Sequence, residues 1–140
     1  MLSYRRATPE DFEALCALDP IAQRDSERCE FIRHTIAEGT CHVALSDGQL
    51  AGYGVLEYTF FETGFVAMLM VHPEWRRQGV GQGLMRHFEA LCRTPKLFTS
   101  TNLSNLPMQR LLARLGYELS GVIHHLDEGD PELVYVKLLR

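Results

Sequence analysis

Apolar positions along this chain recur in two spacings, and the spacings mark out its elements. Residues 2–7 read as a first strand. Thr8-Pro9-Glu10-Asp11 then opens a helix: Thr8 can cap it, Pro9 suits the first helical position, and Asp11 can reach back as a capping-box acid. Phe12, Leu15 and Leu18 form the apolar stripe, and the Asp19-Pro20 step ends it. A second helix is expected from about residue 26 to residue 38, with Phe31, Ile32 and Ile36 inward and Gly39 as its stop. Residues 41–45 and 50–59 flank Ser46-Asp47-Gly48-Gln49, a hairpin signal. Residues 64–71 are nearly all apolar, which predicts a central strand buried on both faces and ended by His72-Pro73.

Downstream, a helix is expected to end near Arg93, with Leu84, Met85, Phe88, Leu91 and Cys92 inward. Residues 96–100 form a short strand, 101–105 a polar loop, and 107–115 a helix stopped by Gly116. Residues 117–125 and 132–138 are two last strands joined by the turn Asp127-Glu128-Gly129-Asp130-Pro131. The order β-α-α-β-β-β-α-β-α-β-β predicts a mixed α/β sheet of about seven strands with four helices on both faces.

Composition narrows the class. The chain has 140 residues, 46% of them hydrophobic, which suits a single domain over residues 1–140. A net charge of -4 gives no basic face for nucleic acid. No apolar run approaches a membrane span, and the N-terminal residues lack a signal-peptide core, so a soluble cytoplasmic protein is expected. Cys16, Cys29, Cys41 and Cys92 form no C-x-x-C pair and read as free, mostly buried thiols. His124 and His125 are adjacent, so on a strand they would face opposite ways; no metal site is expected.

The segment 76–84, R-R-Q-G-V-G-Q-G-L, places three glycines where a helix should begin. The amides at a helix N-terminus lack internal partners, and the helix dipole adds partial positive charge there. A pyrophosphate satisfies both, and glycines let the backbone approach it. Arg76 and Arg77 add full charge. The segment lacks the lysine and hydroxyl of a P-loop, and its glycine spacing departs from the dinucleotide fingerprint.

Val71-His72-Pro73-Glu74-Trp75-Arg76-Arg77-Gln78-Gly79-Val80-Gly81 resembles the acetyl-CoA signature of the GNAT superfamily of N-acetyltransferases, with Arg76, Gly79 and Gly81 at its fixed positions. Asn105, an amphipathic helix and Leu115-Gly116-Tyr117 resemble a second family segment, and the element order fits nearly the whole chain. The resemblance implies a mostly antiparallel sheet whose central strands splay. It implies that backbone groups of Leu69, Met70 and Val71 hold the pantetheine arm of acetyl-CoA. Amides of Arg77, Gln78, Gly79, Val80, Gly81 and Gln82 would hold the pyrophosphate. Asn105 would hydrogen-bond the arm, although its plain reading is a helix cap.

The implied reaction is direct attack of a primary amine on the acetyl thioester in a ternary complex, with a backbone N–H near Met70 stabilising the oxyanion. Two of the family's side chains are missing. Leu112 stands where a tyrosine general acid is usual, and Ala67 and Met68 stand where many relatives place a carboxylate. Glu57 and Tyr58 are candidate replacements on the neighbouring strand, only one of which can face the site. The plain readings are an exposed carboxylate for Glu57, a packed aromatic for Tyr58, turn punctuation for His72 and a core position for Tyr117. The acidic loop 127–132 reads as a solvated turn, with attraction of a cationic amine as its functional alternative. Trp75, Arg76 and Arg77 are candidates for the adenosine 3'-phosphate.

An N-acetyltransferase acting on a small amine or peptide is thus expected. The rival is an acyl-CoA-binding module without catalysis, which Ala67, Met68 and Leu112 keep open. Acceptor choice is expected in residues 17–33 and 117–135, and the apolar C-terminal strands leave a homodimer open.

Overall fold

Thr8 and Asp11 start the first helical segment as their spacing predicts. In the computed structural model, which describes residues 1–140, the Asp11 carboxylate accepts from the Thr8 amide at 2.8 Å. Arg5 grips the same carboxylate at 2.8 and 3.1 Å and holds it below the usual carboxylate range. One 3₁₀ turn, Pro9–Asp11, leads into α1 (Phe12–Leu18). The second helix, α2 (Ser26–Glu38), is capped by the Asp25 side chain on Glu27 N and stops at Gly39, whose φ is 77°.

The strands are β1 (Leu2–Arg6), β2 (Cys41–Ser46), β3 (Gln49–Phe60), β4 (Thr63–Val71), β5 (Lys96–Asn102), β6 (Glu118–Ile123) and β7 (Glu132–Leu138). The other helices are α3 (Val80–Leu91) and α4 (Leu106–Arg114). The strands form one seven-stranded sheet in the order β1-β2-β3-β4-β5-β7-β6. The β1–β2, β2–β3, β5–β7 and β6–β7 pairs are antiparallel, and β4–β5 is parallel. That parallel ladder is short, from Gly64↔Leu97 to Val66↔Thr99, while β4 runs on to Val71.

Two turns fix the hairpins. Asp47 and Gly48 have φ of 49° and 86° between β2 and β3. Phe61 and Glu62 have φ of 51° and 57° between β3 and β4. Positive φ at both central residues marks turns whose twist suits a two-residue hairpin. The second turn carries no glycine, so no turn residue marked it in advance.

The backbone packs as two compact units, Met1–Leu56 with Met68–Phe88 and Glu57–Ala67 with Glu89–Arg140. The first is built on Leu15, Leu18, Ile32, Ile36, Cys41, Val43, Tyr53 and Val55, all buried. Each large aliphatic side chain buried in this way contributes roughly 1.5–3 kcal/mol. In the second, the Phe60 ring lies 4.8 Å from Phe65 and 5.3 Å from Phe98. There the Tyr117 hydroxyl donates to Glu89 at 2.8 Å, and Lys137 bonds the same carboxylate at 3.1 Å.

Several expectations need correction. β4 is not buried on both faces: Ala67 is exposed and Met68, Leu69, Met70 and Val71 are half-buried. The apolar run marks a strand whose neighbour on one side pairs with it for three residues only. Leu91 is 44% exposed because α3 ends with it. Thr101 and Asn102 extend β5, paired with Leu133 and Glu132, and are not loop. His124 and His125 lie beyond β6, with His125 at φ 74° in the turn.

Candidate functional site

The segment after β4 is shaped by short-range bonds. His72 N donates to Ala51 O at 2.9 Å, and His72 Nδ1 accepts from Glu74 N at 3.1 Å. His72 therefore caps the 3₁₀ turn Pro73–Trp75, the punctuation role its place before proline suggests. Gln78 Nε2 reaches back to Glu74 O at 3.3 Å. The turn from Arg76 to Gly79 then bends through two left-handed residues, Arg77 at φ 65° and Gly79 at φ 84°. A left-handed non-glycine residue costs on the order of 1 kcal/mol or more, and such strain gathers at ligand clamps.

Gly79 O accepts from Gly83 N at 2.9 Å, so Gly79 stands at the N-cap of α3. Glycine has no side chain to cap with. The amides of Val80, Gly81 and Gln82 are thus first-turn donors with no side-chain cap from position 79. Arg76, Arg77, Gln78, Gly79 and Gln82 are exposed, and neither arginine is in an ion pair. This is an open, cationic helix start suited to an anion.

The three glycines answer to different needs. Gly79 supplies positive φ. Gly83 yields space to the Tyr4 hydroxyl, which a Cβ there would strike. Gly81 falls at the second residue of α3, where the resemblance places a phosphate.

Two further glycines, absent from the sequence reading, set the approach of β4. A Cβ on Gly52 would lie 2.5 Å from Met70 O and 3.3 Å from Val71 Cα. One on Gly54 would lie 2.9 Å from Met68 O and 2.7 Å from Phe88 Cε2. The spacing Gly52-Tyr53-Gly54 was a usable signal, since alternate glycines on one strand face mark a close backbone neighbour.

A polar network was also missed. Asp19 is fully buried, with its Oδ2 accepting from the Tyr53 hydroxyl at 2.6 Å and from Arg28 Nη1 at 2.8 Å. Its Oδ1 accepts from Ile21 N at 2.9 Å. Burial would raise the Asp19 pKa, and the bonds from Tyr53, Arg28 and Ile21 outweigh it and hold the group below its ordinary value. Arg28 Nη1 also touches Met68 Sδ at 4.0 Å. Asp19 is separated from Arg28 by nine residues and from Tyr53 by 34, so no local spacing could reveal them.

The other candidates are placed as follows. Glu57 is half-buried, and its Oε2 accepts from Thr59 N at 3.3 Å and from Thr59 Oγ1. The Tyr58 hydroxyl accepts from Arg93 N at 3.1 Å, under a guanidinium 4.0 Å from the ring centre, so Tyr58 is a packed strand aromatic. Leu112 is fully buried in the core. Asn105 caps α4, its Oδ1 accepting from Met108 N at 3.2 Å, which leaves its amide nitrogen free to donate.

The acidic loop is not merely solvated. Asp130 accepts from Ser104 N at 2.9 Å and Ser104 Oγ at 2.6 Å, and Asp127 accepts from Asn102 Nδ2 at 2.9 Å. These carboxylates fasten the segment that carries Asn105. No group of three or more histidine, cysteine, aspartate or glutamate side chains gathers to hold a metal ion, and no helix is long and apolar enough to cross a membrane.

Comparison with known proteins agrees with this fold. A crystal structure of a GNAT-family acetyltransferase from Bacillus cereus ATCC 10987 superposes with a TM-score of 0.92 at 30% identity, covering 99% of this chain and 97% of that one. A Bacillus subtilis (strain 168) protein, provisionally named a ribosomal protein bS18-alanine N-acetyltransferase, is 28% identical over 93 residues, 63% of this chain and 61% of the relative. The mycothiol acetyltransferase of Salinispora arenicola (strain CNS-205) is 43% identical over 53 residues, 38% of this chain and 17% of the relative. The chain thus spans less than two thirds of the length of both curated relatives. The acetyltransferase (GNAT) family model matches residues 4–117, and the chain belongs to that family.

Proposed function

We propose that this protein transfers the acetyl group of acetyl-CoA to a primary amine, and that residues 1–140 act as a single catalytic domain. The observation that carries this reading is the uncapped, glycine-opened start of α3 beside the exposed Arg76 and Arg77. The amides of Arg77, Gln78, Gly79, Val80, Gly81 and Gln82 hold the pyrophosphate. Backbone groups of Leu69, Met70 and Val71 pair with the pantetheine arm as an added strand would, on the stretch of β4 beyond its ladder with β5.

The deprotonated amine attacks the thioester carbonyl carbon, and the Met70 N–H stabilises the oxyanion. The nitrogen gives up its extra proton to solvent, the C–S bond breaks and CoA leaves as a thiolate. Leu112 offers no proton to that thiolate, so solvent protonates it. A thiol pKa near 8.5 makes that tolerable. A positioned acid contributes about a hundred- to ten-thousand-fold, so turnover is slowed without being abolished. Glu57 is the candidate base, and its bonds with Thr59 favour the plain strand role.

The test is CoA thiol release from acetyl-CoA with a panel of amines, amino acids and peptides, with thermal shift reporting cofactor binding on the same sample. The panel includes peptides with an N-terminal alanine, since the B. subtilis relative is named for that acceptor. Release above hydrolysis with one amine class supports the transferase. Binding without release from any acceptor favours the acyl-CoA-binding module.

A further inference from the structure

We propose that Cys16 and Cys29 form a paired thiol site, which a peroxide oxidises to a disulfide tying α1 to α2. This stands apart from acetyl transfer and does not depend on it.

Three observations place the pair. The Cys16 thiol is hydrogen-bonded to the Cys29 side chain, so the two sulfurs already meet across the helix pair, as a bridge requires. Both side chains are half-buried, within reach of a small oxidant, whereas Cys41 and Cys92 are buried. The joint that carries them is also fastened. Cys16 lies near the end of α1 and Cys29 in the first turn of α2. Asp19 follows α1, its amide bonded to Leu15 O at 3.1 Å, and its carboxylate holds Arg28, the neighbour of Cys29, at 2.8 Å. That ion pair keeps the two helix ends, and so the two thiols, together.

The hydrogen bonds assign the roles. Burial, and then the bond to Cys29, push the Cys16 thiol up to about 11, so Cys16 keeps its proton and donates it. The Cys29 sulfur receives that bond, and its own proton points to Ala22 O at 3.1 Å. Cys29 is therefore the attacking sulfur. Its proton passes to solvent, and the thiolate attacks one oxygen of hydrogen peroxide. An S–O bond forms, the O–O bond breaks, and hydroxide leaves and becomes water. The Cys16 sulfur then attacks the sulfur of the Cys29 sulfenic acid. The S–S bond forms, the S–O bond breaks, and the departing hydroxide takes the Cys16 proton as a second water. Two thiols are oxidised and the peroxide is reduced. A protonated Cys16 is a poor partner for outside electrophiles, but this last step needs no encounter. The alternative is a pair of thiols that only fills the joint, and it predicts no bridge.

The experiment exposes the full chain to excess hydrogen peroxide, removes the oxidant with catalase, and counts free thiols in urea. Two of the four thiols should be lost, with the intact mass falling by two hydrogens. Peptide mapping should find Cys16 joined to Cys29, and dithiothreitol should restore all four thiols. Cys16→Ser should stop at a sulfenic acid on Cys29, which dimedone traps. Cys29→Ser should keep its remaining thiols. Circular dichroism confirms that both variants fold.

Survival of all four thiols overturns the proposal, as does a bridge that joins any other pair or two molecules. Sulfinic acid at Cys29 without a bridge would show that Cys16 does not reach it. Absence of the dimedone adduct in Cys16→Ser, or oxidation of Cys16 in Cys29→Ser, would overturn the assignment of Cys29 as the attacking sulfur.

Discussion

Nε2 of His87 lies 3.0 Å from Nδ1 of His42. Tyr4 stacks on the first ring at 5.6 Å between centroids, and Phe88 meets the second edge-on at 5.5 Å. One proton between two neutral imidazoles satisfies this bond; a second would be repelled. Burial, then His87 and Arg6, pull the His42 pKa down to about 4, and burial lowers that of His87.

The pH dependence follows from that direction. A histidine depressed in the folded state stabilises fully above its unfolded pKa near 6.5. That contribution is lost as pH falls from about 6.5 towards about 4. For His42 it amounts to at most about 3 kcal/mol. Urea midpoints measured from pH 7.5 to 4.5 should therefore fall more steeply for the native sequence than for His42→Asn. Parallel curves would show that the pair does not resist protonation.

Gly52 offers a test of the strand beneath the proposed oxyanion donor. Gly52→Ala places a Cβ 2.5 Å from Met70 O, so β3 and β4 must part. Stability should drop by about 1–3 kcal/mol, and kcat should fall together with it. Gly121→Ala is the control, because nothing lies within 4 Å of a Cβ there. Its stability and kcat should match the native protein. Normal kcat in a destabilised Gly52→Ala would separate Met70 from the chemistry.

Gly81→Glu places a carboxylate at the start of α3, where the pyrophosphate is proposed to lie. Acetyl-CoA affinity should fall sharply, by at least about tenfold, with the circular dichroism spectrum retained. Isothermal titration reads this directly, and unchanged affinity would put the phosphate site elsewhere.

Glu57→Gln asks whether the strand carboxylate acts as the base. With Thr59 already on Oε2, kcat should change by less than about tenfold. A general base contributes a hundredfold or more. A loss of that size, at normal acetyl-CoA affinity, would make Glu57 the base.

The sequence was most readable where the physics is local. The bounds of α2 and β7 match the spacing of apolar residues, and Gly39 ends α2 as expected. The glycine turn before α3 was legible for the same reason, since glycines before a helix state a backbone need within a few residues. What was not legible depends on residues far apart in the chain. Tyr4 explains Gly83, and Tyr53 and Arg28 explain a buried Asp19. Asp130 reads as a turn residue until Ser104, 26 positions away, is placed against it. The burial of β4 was misjudged because an apolar run looks the same whether a neighbouring strand stays alongside it or stops after three residues.

Two of the cysteines, half-buried Cys16 and buried Cys41, bear on how such a protein handles a reactive donor. Burial and the neighbouring Cys29 push Cys16 up to about 11, and burial pushes Cys41 up to about 12. At neutral pH their thiolate fractions are on the order of one in ten thousand or less. A thioester such as acetyl-CoA can exchange its acyl group with any accessible thiolate. These two cysteines are withheld from that side reaction, so the protein resists self-acylation there, and the CoA it would release finds no ready partner in them for a mixed disulfide.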